Sequence, residues 1–345
     1  MSVIPIRVES DSSHNPSCPG LSGVPIATRA GAGGPDEPGD DVVEGPDGSK
    51  STRTGITTRF APSPTGYLHL GHAFSAFNGW KRAREAGGRF LLRLEDIDPA
   101  RCRPEFADGI QEDLAWLGIQ WDGAVRVQSR HLADYQAVLD RLADEGLLYP
   151  CFCTRSDVMR ELSASAAAPH APDGAPLYPG TCRRLSPAER SHRIGAGERF
   201  ALRLDMQSAL RLGLWYEEIG EGRIPCRPEA FGDVVLARKD APASYHLCVT
   251  HDDARQGVTL VTRGEDLRPS TDLHRLLQAL MGWPVPVYAH HRLITDDQGK
   301  RLAKRDRAVT LRDMRDRGVS PRDVIDRLAK LEAFAHGPHA RTRTP

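Results

Sequence analysis

TRFAPSPTGYLHLGH, residues 58–72, decides how the rest of the chain is read. Ile56 to Phe60 is a short apolar strand, and Pro62 and Pro64 behind it forbid both helix and sheet ladder. Gly66 supplies a turn. His69-Leu70-Gly71-His72 then opens a helix whose positions Phe74, Phe77 and Trp80 run toward Gly87-Gly88. A helix N-terminus presents unpaired N–H groups and a partial positive charge, so it attracts phosphate. His69 and His72 add side-chain donors at that end, and Gly71 lets a base or ribose approach the backbone. Such a corner suits a nucleoside triphosphate attacked at its α-phosphate, with donors meeting the charge that develops. An isolated HxGH would more simply be two histidines in a strand-to-helix turn; its position behind a strand and a proline-rich turn favours function.

Outward from this corner the periodicity is that of a helix-covered parallel sheet. Arg89 to Leu94 (RFLLRL) is a second strand with Glu95, Asp96 and Asp98 at its carboxyl end, and Pro104 to Leu117 is an amphipathic helix. Residues 131 to 146 are helical, followed by a cysteine cluster over 151 to 182 with an Ala/Pro-rich loop at 163 to 176. Strands are expected again at Asp233 to Arg238 and Gly257 to Arg263, with a helix from Thr271 to Met281. Tyr288 to Ile294 leads into the basic run Gly299 to Arg305, and two short helices follow at about 311–317 and 321–332. The expected domains are a disordered tail (1–54), a first catalytic half (55–121), an insertion (122–230), a second catalytic half (231–310) and a short helical end (311–345). The class is α/β. In such sheets ligands sit beyond the carboxyl ends of the strands, where the proline turn and Glu95 both fall.

Composition narrows the class of protein. A chain of 345 residues with 39% hydrophobic and 27% charged residues has enough material for a sizeable core and for two lobes. No apolar run is long enough to cross a bilayer. The first 54 residues are rich in Gly, Pro, Ser and Asp, without an apolar signal core, and their acidity argues against a transit peptide. Seven cysteines at irregular spacing do not form a disulfide framework, which points to a reduced, cytoplasmic protein. A formal net charge of zero leaves a nucleic-acid partner open, since what matters there is a clustered basic face.

Arg59 to His72 resembles the signature of class I aminoacyl-tRNA synthetases, in the glutamyl/glutaminyl branch. His69-Leu70-Gly71-His72 is similar to the "HIGH" motif, which binds ATP and stabilises the adenylation transition state. Arg301-Leu302-Ala303-Lys304-Arg305 stands where the family carries its mobile "KMSKS" loop. Lys304 matches the lysine that neutralises the triphosphate, Arg301 keeps the charge of the first lysine, and Ala303 replaces a serine. Val261-Thr262-Arg263-Gly264-Glu265-Asp266-Leu267 resembles the family's VIRGEDL segment. The resemblance covers about residues 56 to 330.

An amino acid with a carboxylate side chain needs a cation, best a bidentate guanidinium. The resemblance implies that Arg59 and Arg263 hold glutamate, with Ala61 and Ser63 beside them. It also implies that Glu95 takes the α-ammonium and that Tyr245 contributes a hydroxyl. Taken singly, Glu95 is equally a partner for Arg93, and Tyr245 a satisfied core tyrosine.

Cys151, Cys153 and Cys182 offer three thiolates at a spacing that suits tetrahedral zinc, and a structural site needs a fourth ligand. His170 is chemically the safer one; a metal-free set of reduced, partly buried thiols is the simpler alternative. The resemblance to short glutamyl-synthetase-like proteins with a CxC…YxxxC site implies Tyr178 instead. Cys102, Cys226 and Cys248 are isolated core or surface thiols.

The resemblance thus implies a Rossmann-like class I sheet with an inserted zinc-containing, acceptor-binding-like subdomain and a short helical end. With 40 residues after Arg305, no anticodon-binding domain is expected. The implied activity is ATP- and Mg²⁺-dependent activation of L-glutamate without tRNA, with transfer to the wobble queuosine of tRNA(Asp), by a monomer. Two alternatives are a truncated synthetase charging a tRNA 3′ end and a catalytically silent, zinc-containing RNA-binding paralogue.

Overall fold

Thr57–Phe60, all four residues buried, forms the strand from which the catalytic fold grows in the computed structural model. The structure describes residues 42–44, 50–52, 55–163, 170–294 and 309–335. Contacts divide the chain into two units, 1–54 and 55–345. In the first unit, β1 (Val42–Glu44) and β2 (Lys50–Thr52) pair antiparallel, within the stretch expected to be a disordered tail. The β-branched pair Val42-Val43 supplies a strand preference that the surrounding Gly/Pro-rich composition hides.

In the second unit β3 (Thr57–Phe60), α1 (Leu70–Glu85), β4 (Arg89–Leu94), α2 (Pro104–Trp116) and β5 (Arg126–Val127) follow in order. β3, β4 and β5 are parallel neighbours, with Thr57 opposite Arg89 and Leu94 opposite Val127. The alternation of β4 divides its side chains between two cores. Phe90, Leu92 and Leu94 join Phe74, Ile110 and Leu114 on one face, while Leu91 packs with Val261 and Tyr288 on the other. Gly88 permits the return from α1 into β4, because a Cβ there would lie 1.9 Å from the Ile56 carbonyl oxygen.

The chain continues through α3 (Leu132–Asp144), β6 (Leu148–Cys151), α4 (Arg155–Ser163), α5 (Pro187–Gly195), β7 (Ala201–Leu204) and α6 (Met206–Ala209). Next come β8 (Trp215–Glu218), β9 (Gly222–Pro225), β10 (Val235–Ala237), α7 (Tyr245–Arg255), β11 (Leu260–Gly264), α8 (Ser270–Met281) and β12 (Val287–His291). Helices α9 (Leu311–Asp316) and α10 (Pro321–Ala335) close the described chain. β11, β12 and β8 are parallel, with β9 antiparallel on the outer edge. The two sheets abut at β3 and β11, where the Thr259 N–H donates to the Thr57 carbonyl at 3.0 Å. From that seam the strand order runs outward in both directions, β3 to β5 one way and β11 to β9 the other. This is the switch point at which α/β sheets open a crevice.

The insertion is delimited differently from the sequence expectation. Val235–Ala237, expected among the strands of the second catalytic half, pairs antiparallel with β7 in the sheet β10-β7-β6. Conversely β8 and β9, within the expected insertion, extend the parallel sheet. The Asp233 carboxylate explains the first switch, accepting from the Tyr149 hydroxyl at 2.6 Å and from the Met206 N–H at 3.0 Å. Both donors lie in the insertion, so β10 is anchored there. Among the described residues no helix is long and apolar enough to cross a membrane.

Candidate active site

A cavity of about 520 Å³ opens at the seam, beyond the carboxyl ends of β3, β4 and β11. Arg59, Ala61, Ser63, His69, Gly71 and His72 line it from the first half. Glu95, Tyr245 and Arg263 complete the residues that the sequence selects for it, and all nine come together. The basic run with Arg301, Ala303 and Lys304 lies outside the described residues. The chain on either side of it does meet this corner: Leu293 and Ile294 line the cavity, and the Leu311 N–H donates to the Leu68 carbonyl at 2.8 Å.

His69 is the N-cap of α1, and its Nδ1 accepts from the Gly71 N–H at 3.1 Å. His72 answers at N3, its Nδ1 accepting from the His69 N–H at 3.3 Å, and the two rings stack 3.7 Å apart. This is a capping box made with imidazoles in place of the usual Ser and Glu. It has a chemical consequence. A neutral ring that accepts through Nδ1 carries its proton on Nε2, so both histidines are Nε2–H donors, which phosphate oxygens require.

Glu95 and Arg59 have both a structural and a cavity-facing role. The Glu95 carboxylate is 3.3 Å from Arg93 Nη2, while lining the cavity. Burial pushes its pKa up to about 7, against the opposing pull of Arg93 and then Arg59. Arg59 grips Asp253 through Nε at 2.9 Å and Nη2 at 3.3 Å, and donates from Nη1 to the Thr262 carbonyl at 3.2 Å. Its charge is therefore compensated from within the protein. Asp253 also accepts from Arg93 at 2.8 Å, so one buried carboxylate on α7 braces two arginines of adjacent strands.

Arg263 is different. It is buried, and among the described residues no carboxylate pairs with it. Its Nε donates to His290 Nε2 at 3.1 Å, Nη1 meets His274 Nδ1 at 3.2 Å, and Nη2 donates to the Thr271 hydroxyl at 2.7 Å. Burial, then the charge of Arg263, holds His274 well below the ordinary histidine range. Burial likewise lowers His290 and brings His246, next in line behind His274, to about 4. The neighbours stay neutral at pH 7, and a full positive charge remains at the cavity wall. Tyr245, the first residue of α7 behind its Ser244 cap, lies within the fields of both Arg263 and Glu95.

The sequence reading did not single out Asp253, Thr271, His274 or His290. An Asp252-Asp253 pair next to the apolar run of α7, and His-His just before the basic loop, were the available signals.

In the insertion the Sγ atoms of Cys151, Cys153 and Cys182 lie within 4.8 Å of one another. The Tyr178 hydroxyl is 3.4 Å from Cys153 Sγ, and Cys153 Sγ is 3.5 Å from Cys182 Sγ. His170 is exposed and outside this group. Tetrahedral zinc with Zn–S bonds of about 2.3 Å sets its thiolates roughly 3.8 Å apart, so the donor set fits such an ion. All six described cysteines are free of disulfides.

Comparison with known proteins agrees with this geometry. The family model "tRNA synthetases class I (E and Q), catalytic domain" matches residues 55–340. The Glutamyl-Q tRNA(Asp) synthetase of Rhodobacter capsulatus is 52% identical over 281 residues, covering 78% of this chain and 98% of that protein. That of Symbiobacterium thermophilum is 45% identical over 296 residues, covering 81% and 87%. The crystal structure of a glutamate tRNA ligase from Elizabethkingia meningosepticum in complex with its amino acid superposes with a TM-score of 0.63 at 30% identity. That match covers 73% of this chain and 52% of the ligase, about half its length. With the fold, the cavity and these relatives in agreement, the chain belongs to the glutamyl/glutaminyl class I tRNA synthetases, in the glutamyl-Q tRNA(Asp) synthetase group.

Proposed function

We propose that this chain converts L-glutamate and ATP into glutamyl adenylate without tRNA and then passes glutamate to the wobble queuosine of tRNA(Asp). The observation that carries the first half is Arg263: a buried cation surrounded by neutral partners demands an anion from the substrate. Glu95, in the same cavity, supplies the opposite charge for an α-ammonium. A zwitterion with a carboxylate side chain matches both. Arg59, compensated by Asp253, contributes N–H donors rather than net charge, beside Ala61, Ser63 and the Tyr245 hydroxyl.

The glutamate α-carboxylate is the nucleophile. One of its oxygens bonds to the α-phosphorus of ATP as the bond to the bridging oxygen breaks, and pyrophosphate leaves. No protein nucleophile is needed, because positioning and charge stabilisation suffice. His69 and His72 offer Nε2–H donors, Gly71 admits the nucleotide to the backbone, and Lys304 neutralises the triphosphate with Mg²⁺. Cys151, Cys153, Cys182 and Tyr178 hold a structural zinc in the insertion. The wobble-base half rests on the relatives whose names specify tRNA(Asp) and on their near-complete overlap with this chain.

The test is glutamate-dependent ATP–pyrophosphate exchange. H72A and K304A are expected to abolish exchange; K304A should melt like the wild type, and H72A should lose only the capping contribution of about 1 kcal/mol; full exchange in both sinks the assignment. Transfer is tested by ribonuclease digestion of tRNA(Asp) charged with labelled glutamate at mildly acidic pH. Label on the anticodon fragment is expected if the acceptor is the wobble base, and label on the 3′-terminal adenosine overturns that half.

A further inference from the structure

We propose that Glu218 and His290 are positioning residues that hold Arg263 in place and leave its charge for the substrate. This rests on the reading of Arg263 as the cation that receives the glutamate side chain. Arg263, His290 and Glu218 lie on β11, β12 and β8, three adjacent parallel strands, with Arg263 in register with His290. Glu218 is buried and points both carboxylate oxygens at His290. Oε1 accepts from the His290 backbone N–H at 2.8 Å, and Oε2 meets Nδ1 at 2.7 Å.

An ionised carboxylate only accepts, so Nδ1 of His290 must carry the proton. Nε2 then has a lone pair to receive the Arg263 Nε–H at 3.1 Å. The carboxylate thus sets the tautomer, and the tautomer sets the guanidinium. A direct Glu–Arg pair would have closed the site by supplying the arginine's anion from within, as Asp253 does for Arg59. One intervening imidazole keeps the compensating negative charge in the protein while leaving the Nη edge of Arg263 as a cation. The second branch, through His274 to His246 Nδ1 at 3.2 Å, steadies Nη1 in the same neutral manner. A carboxylate ligand gains from that charge, whereas the isosteric amide of glutamine does not.

E218Q weakens the relay by leaving one acceptor where the carboxylate had two. A glutamine at 218 has one acceptor oxygen for two donors, so its NH₂ faces either the His290 backbone N–H or Nδ1. Facing Nδ1, it moves the ring proton to Nε2 and sets it against Arg263. In H290Q the amide oxygen can accept from Arg263 while the NH₂ donates to Glu218; H290L can do neither.

The measurement is steady-state exchange at saturating ATP with glutamate varied, alongside thermal melts. E218Q and H290L are expected to raise KM for glutamate about tenfold or more, the loss of one charge-assisted hydrogen bond, with smaller effects on kcat. They also narrow the preference for glutamate over glutamine. H290Q recovers most of the loss seen in H290L. Equal KM values in H290L and H290Q, or losses confined to kcat and melting temperature, overturn the relay. If the wild type itself shows no glutamate-dependent exchange, the functional reading fails and takes the relay with it; normal wild-type exchange with unchanged KM in all three variants overturns the relay alone.

Discussion

Protonating Glu95 should switch off the amino acid site, and its burial places that event close to neutral pH. The side chain is 7% exposed, and burial raises its pKa from 4.5 to about 7 despite Arg93 and Arg59 nearby. An α-ammonium can bind only the ionised form. In the free enzyme about one Glu95 in ten is ionised at pH 6 and one in a hundred at pH 5, so kcat/KM for glutamate should fall about tenfold per unit below 7. The shift also has a signature in stability. Because the folded pKa is raised, the contribution is fully present below about 4.5 and is lost as pH rises through 7. At roughly 1.36 kcal/mol per unit, the wild type should lose about 3 kcal/mol relative to E95Q across that window. The assays are exchange rates at low glutamate and saturating ATP from pH 5.5 to 8.5, and urea melts of both proteins from pH 4 to 8.5. E95Q should lack the acidic limb and be slow at every pH. A wild-type profile that is flat between 6 and 8, or an E95Q profile that keeps the limb, refutes the assignment of Glu95.

Other consequences follow from single contacts. D253N removes the anion shared by Arg59 and Arg93, and breaking a buried pair should cost about 3–5 kcal/mol in chemical denaturation; a loss under about 1 kcal/mol contradicts it. A Cβ at Gly79 would sit 2.8 Å from Thr262 Oγ1 and 3.4 Å from Phe90, where α1 presses on the seam. Overpacking of about 1–3 kcal/mol should outweigh the helical gain of alanine, so G79A should melt below the wild type, and a higher melting temperature would be inconsistent with that packing. The purified protein should carry one zinc per chain. C182S and Y178F should lose it and H170A keep it; the opposite pattern for the last two moves the fourth ligand to His170.

Much of the catalytic half was legible because its signals are local. The strand at Thr57–Phe60, the proline stop, the helix from Leu70 and the strand Arg89–Leu94 each follow from a few neighbouring residues. All the cavity residues named from sequence within the described chain do meet in one cavity. What could not be read was long-range. Whether a run such as DVVLAR pairs parallel or antiparallel depends on Tyr149 and Met206, distant in sequence, and β10 went to the insertion on their account. Residue type alone likewise made Arg59 and Arg263 equivalent. They differ only through Asp253, 194 positions from Arg59, and through the imidazoles that surround Arg263. The tautomers of His69 and His72 follow from cap geometry, which spacing does not reveal.

The central claim is tested most directly by ATP–pyrophosphate exchange with purified protein, L-glutamate and Mg²⁺, run with and without tRNA and with glutamine as control. Exchange is expected to depend on glutamate, to proceed without tRNA, to be absent with glutamine and to be lost in R263A. Exchange that appears only when tRNA is added, or that glutamine supports as well as glutamate does, would contradict the claim.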